Sequence, residues 1–83
     1  MNEVRKIVRA YILREFLPGE DPALLTESVQ LIRGGILDSI ATLKLAAFLE
    51  SQFNIELEAH EMSADYLNTI ADIAQLVESK QSK

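Results

Sequence analysis

The chain has 83 residues, 48% of them hydrophobic and 25% charged, with a formal net charge of −5. That length holds one compact domain and no second, and so ordinary a composition excludes a disordered or low-complexity chain. Cysteine is absent and His60 is the single histidine, which excludes disulfides, thiol nucleophiles and thiolate metal sites together; no metal site is expected. No apolar run approaches the roughly 18 residues of a membrane span, and Met1 to Arg9 lacks the apolar stretch of a signal peptide, so a cytoplasmic protein with no membrane contact is expected.

The charge is unevenly placed. Residues 1–37 hold five basic and five acidic side chains, whereas residues 38–79 hold eight acidic ones (Asp38, Glu50, Glu56, Glu58, Glu61, Asp65, Asp72, Glu78) against Lys44 alone. A field of that sign repels phosphate backbones and attracts basic protein surfaces, so nucleic acid is not an expected partner and a basic protein patch is.

From Asn2 to about Leu17, Val4, Ile7, Val8, Tyr11 and Ile12 recur at helical spacing with Arg5, Lys6, Arg9 and Arg14 largely on the other side, and Pro18-Gly19 ends this first helix. About twenty residues of loop follow, long for a compact domain. Leu24, Leu25, Val29, Leu31, Ile32, Ile36 and Leu37 can pin the loop across the other helices, and Gly34-Gly35 permits the turn that brings Asp38 to the head of a helix. Asp38 is a good N-cap, and Ser39 to about Phe53 is rich in Ala and Leu without Gly or Pro, which predicts a second helix. At about 100° per residue Leu45, Ala46, Leu49 and Phe53 make its core face, while Ile40, Lys44, Ala47 and Ser51 share the outer one.

Ile55 to Glu58 alternates like a strand but has no partner strand in view, so an extended connector is expected. A short third helix is placed near Glu61 to Tyr66. Thr69 followed by Asp72 has capping-box spacing, and Ile70, Ile73, Ala74 and Val77 form the stripe of a fourth helix ending near Ser79. The expectation is an all-α fold, a small four-helix bundle with three main helices, with an ordered core of about 2–79 and a polar tail over 80–83.

Familiar catalytic constellations are missing. Ser39 lacks the flanking glycines of a nucleophile elbow, and His60 reads as a solvated surface imidazole rather than its base. Glu56, Glu58 and Glu61 read as a solvated acidic face rather than a carboxylate site. Gly34-Gly35 has no following Lys and Ser/Thr to make a phosphate-binding loop. What remains is Gly35-Ile36-Leu37-Asp38-Ser39-Ile40, a serine at the start of a helix behind a long pinned loop. This run resembles the phosphopantetheine attachment motif of the acyl and peptidyl carrier protein family, as do Leu31 to Gly35 before it, Phe53 at the helix end and Tyr66-Leu67-Asn68-Thr69-Ile70 later.

The resemblance implies an acyl carrier protein that is not an enzyme, with 4′-phosphopantetheine attached to Ser39 and Asp38 serving as helix cap and in recognition by the phosphopantetheinyl transferase. It also implies that the arm carries an acyl or aminoacyl thioester, that a loading ligase or acyltransferase and downstream biosynthetic enzymes are the partners, and that Ile40, Lys44 and Ala47 contact them. A monomer is expected, working in fatty-acid-like or specialised secondary-metabolite biosynthesis. Two departures matter: Ile40 stands for the usual leucine, and Lys44 for the acid common on the recognition helix of fatty-acid carriers. The second, with the Gly-Ile-Leu-Asp-Ser and Tyr-Leu-Asn-Thr runs, leans toward carriers served by adenylate-forming ligases. The rival readings are an acidic helical adaptor with no prosthetic group, in which Asp38-Ser39 is only a cap, and a small hydrolase using Ser39.

Overall fold

A computed structural model of the chain describes residues 3–81, and among them every regular element is helical. The order is α1 (Glu3–Phe16), a 3-10 turn (Pro22–Leu24), α2 (Ser39–Phe53), a second 3-10 turn (Ala59–Glu61), α3 (Ala64–Leu67) and α4 (Ile70–Gln81). The all-helical bundle with a short third helix and a long first loop thus stands as expected, and Ile55 to Glu58 is a connector, but α3 starts at Ala64 rather than near Glu61, which closes the second 3-10 turn instead.

Each main helix buries one stripe. Val4, Val8, Tyr11 and Ile12 point inward from α1, Leu45, Ala46 and Leu49 from α2, and Ile70, Ile73, Ala74, Leu76 and Val77 from α4. α1 lies chiefly against α4, with α2 closing the third side. Each leucine or isoleucine fully withdrawn from water contributes about 1.5–3 kcal/mol. Phe53, placed on the core face of α2 by its spacing, is only half-buried. It is the last residue of α2 and still packs against the edge of the core. Asn54 ends α2 in the left-handed region (φ 54°, ψ 52°), which asparagine tolerates better than most residues.

The long loop is pinned as expected by Leu25, Leu31 and Leu37, all buried, with Val29, Ile32 and Ile36 packed against the core. Leu24 is the exception, 67% exposed. It closes the 3-10 turn that Asp21 caps through the Ala23 N–H, and the neighbouring Leu25 takes the inward position instead. Arg9 holds this turn in place, its guanidinium donating to the carbonyl oxygens of Pro22 and Leu25.

Two further findings correct the sequence reading. α4 continues to Gln81, past the expected end at Ser79, so Lys80 is helical rather than part of a tail. Glu61 is not part of a solvated face: it and Lys80 have side chains only 12% and 11% exposed and form an ion pair at 2.6 Å. Oε1 of Glu61 also accepts the Glu58 N–H at 2.9 Å. That backbone donor, and then the Lys80 ammonium, hold the Glu61 carboxyl below the usual carboxylate range, and the carboxylate in turn raises Lys80. His60, by contrast, is exposed, as expected.

Candidate functional site

The site begins with a helix start. Asp38 has extended backbone (φ −90°, ψ −171°), and its Oδ1 accepts the Ala41 N–H at 2.8 Å while its carbonyl oxygen accepts from the N–H and the hydroxyl of Thr42. This is the N-cap the sequence predicts. Ser39 is therefore the first residue of α2 and is exposed. Its N–H and that of Ile40 are among those an α-helix leaves without an intrahelical acceptor, and they sit at the positive end of the helix dipole.

The approach to that cap depends on two glycines. A Cβ on Gly34 would collide with the carbonyl oxygen of Gln30, and Gly35 has φ +86°. Both positions demand glycine. The turn they make is closed by the Leu37 N–H, which donates to Leu31 O at 2.8 Å.

Beside Ser39 lies an open groove of about 500 Å³ lined by Ile32, Leu37, Asp38, Ser39, Thr42, Leu43, Met62, Ser63 and Ala64. Its two walls come from distant parts of the chain: the start of α2 with the loop before it, and the segment that leads into α3. Asp38 and Ser39 are thus brought together in one groove. Ile40 (66% exposed), Lys44 and Ala47 share the outer surface of α2, as the helical phase requires, and are all exposed. Only the backbone of Lys44 is engaged inward, its carbonyl accepting the Tyr11 hydroxyl at 3.3 Å. Tyr11 in turn stacks on Phe48 with ring centroids 3.9 Å apart.

The sequence reading missed Leu43, 59% exposed and shared between the outer face and the groove. Its place was legible, since it lies one turn beyond both Ser39 and Ile40. Met62, Ser63 and Ala64 carried no such signal, because only the tertiary fold brings them to Ser39. His60 does not line the groove.

An attached phosphodiester tests well against these residues. The hydroxyl is on an exposed side chain, the helix terminus favours negative charge, and the groove leaves room beside the serine for an extended arm with both apolar and polar parts. Ile40 and Leu43 leave apolar area exposed beside the serine.

No family model matches the chain. The D-alanyl carrier proteins of Streptococcus pyogenes serotype M5 (strain Manfredo) and serotype M1 are each 43% identical to it over 51 residues, which is 61% of this chain and 65% of theirs. The chain thus spans just under two thirds of the length of these curated relatives. They bear out the resemblance to carrier proteins that Gly35 to Ile40 carries.

Proposed function

We propose that this protein is a carrier, not a catalyst, that takes a 4′-phosphopantetheine arm on Ser39 and holds an aminoacyl group on it for partner enzymes. The observation that carries this reading is the exposed Ser39 hydroxyl at the first position of α2, directly behind the Asp38 cap and opening onto the groove. The names of the relatives support D-alanine as the cargo. Lys44, in place of an acid, supports an ATP-dependent amino acid ligase as the loading enzyme. The fatty-acid and secondary-metabolite contexts have no such support.

The arm supplies the thiol that the sequence lacks. The chain's own residues do the rest. Asp38 fixes the start of α2, and the helix terminus with its outward N–H groups stabilises the phosphodiester charge. The outer face of α2 is the docking surface, where Ile40 and Leu43 give apolar contact and Lys44 selects among partners by charge. Attachment makes a bond from Ser39 Oγ to the phosphorus of the phosphopantetheine half of coenzyme A; adenosine 3′,5′-bisphosphate leaves, and the hydroxyl proton passes to the transferase.

The test is the intact mass of the protein after incubation with a broad-specificity phosphopantetheinyl transferase and coenzyme A. The wild type gains one phosphopantetheine and Ser39→Ala gains none. Helical circular dichroism of the variant is unchanged, because Asp38 keeps the cap and alanine is a good helix former. A wild type that stays unmodified overturns the reading in favour of an adaptor with no prosthetic group. Supplying the modified protein with ATP, a D-alanine ligase and D-alanine or a fatty acid then reads the cargo from the thioester formed.

A further inference from the structure

Ser39 stands at the end of an irregular stretch of some twenty residues, so something outside that stretch must fix the direction from which α2 starts. Three successive backbone N–H groups, those of Leu31, Ile32 and Arg33, all end on Asn68. The Leu31 N–H donates to its main-chain oxygen, and the Ile32 and Arg33 N–H groups donate to its side-chain Oδ1 at 3.0 and 2.9 Å. Two donors meeting on one atom also fix which way the amide faces, since only the oxygen can accept. Leu31 then passes the constraint on: its own carbonyl oxygen accepts the Leu37 N–H, next to Asp38. Asn68 is therefore two hydrogen-bonded steps from the cap that defines Ser39.

Two other contacts among the described residues lie along this seam, and each does less. Arg33 and Asp65 pair at 3.3 Å, but with side chains 57% and 79% exposed, where water screens the attraction. The Ala71 N–H reaches Glu27 O, further back along the loop. Asn68 itself is 7% exposed, so water cannot readily replace its oxygen.

We infer that Asn68 is a positioning residue for Ser39: by gathering the Leu31, Ile32 and Arg33 N–H groups it holds the Gly34-Gly35 turn in the one arrangement that presents the serine to a modifying enzyme. This rests on the carrier reading above. Without the side-chain oxygen of Asn68, the main-chain link from Leu31 stays and α2 keeps its own cap and its buried leucines, but the Ile32 and Arg33 N–H groups, which lead directly into Gly34-Gly35, lose their acceptor and the turn samples other arrangements. An enzyme that binds only the competent arrangement sees an affinity reduced by the fraction of molecules in it, while turnover of the bound complex is unaltered.

The experiment measures phosphopantetheinylation of wild type, Asn68→Ala and Asn68→Asp by a transferase at varied protein concentration. The expected result is a KM for Asn68→Ala raised at least about fivefold with kcat within about twofold. Asn68→Asp should return KM to near the wild-type value, since a carboxylate offers the same acceptors. Equal KM values for wild type and Asn68→Ala overturn the proposal. Amide exchange on the wild type tests it without any variant having to fold or any enzyme acting: the Ile32, Arg33 and Leu37 amides should open together with one protection factor, and an independently exchanging Leu37 overturns it. A wild type that is never modified defeats the carrier reading instead, so the two failures are told apart.

Discussion

The two faces of α2 carry nearly the same kind of side chain to opposite ends. Leu45 and Leu49 are withdrawn from water completely, whereas Ile40 and Leu43, also aliphatic and one or two turns away, are more than half exposed. The inner pair holds the bundle together; the outer pair contributes little to folding and is available to a partner. An apolar residue in a helix is therefore read by its angle rather than its type. The docking role proposed for the outer face of α2 rests on that exposed apolar pair lying beside Ser39.

The largest effect expected is on the inner face. Leu49→Ala should cost about 2–5 kcal/mol, read from denaturant unfolding, and Phe53→Ala should cost less because Phe53 is only half-buried. If the two variants lose equal stability, the last turn of α2 is packed more tightly than its exposure indicates.

A polar form of the same contrast gives a smaller effect. Of the three glutamates at 56, 58 and 61, only Glu61 turns inward, to Lys80. Because its folded-state pKa is lowered, its contribution to stability is present above the ordinary glutamate value, about 4.3, and is lost as pH falls through the folded value. Lys80, which is raised, contributes below the ordinary lysine value, about 10.4, and loses that contribution only as pH rises through its own folded value. Urea unfolding between neutral and acid pH should therefore show a shallower loss of stability in Glu61→Gln than in wild type. Identical slopes would mean that the pair is dissolved in solution.

The smallest effect on stability is expected on the outer face. Ile40→Ala and Lys44→Glu should each leave stability within about 0.5 kcal/mol of wild type while changing transfer. Ile40→Ala should slow loading by an amino acid ligase through faster dissociation. Lys44→Glu should lower that rate and raise acceptance by fatty-acid-synthesis enzymes, through encounter rate and rejection of wrong partners. An unchanged ratio of the two rates in Lys44→Glu removes Lys44 as a selectivity residue.

The sequence by itself determined what is local. Asp38 and the run without glycine or proline set α2 from Ser39 to Phe53, and the 3.6-residue period sorted Leu45 and Leu49 from Ile40, Lys44 and Ala47. Thr69 capped α4, its hydroxyl accepting the Asp72 N–H at 3.0 Å as the spacing predicted, and the motif around Ser39 lay within six consecutive residues. What only the tertiary structure decided has partners far away in the chain. Leu25 rather than Leu24 turned inward, and the turn that carries them is held by Arg9, sixteen positions from Leu25. Glu61 found Lys80 on the last turn of α4, beyond the end expected for that helix. Asn68, read only as part of a resemblance, received the N–H of Ile32 across thirty-six positions. Periodicity and capping act within a turn or two of helix, so a hydrogen bond or ion pair that closes only after the helices have packed leaves no mark in the local pattern.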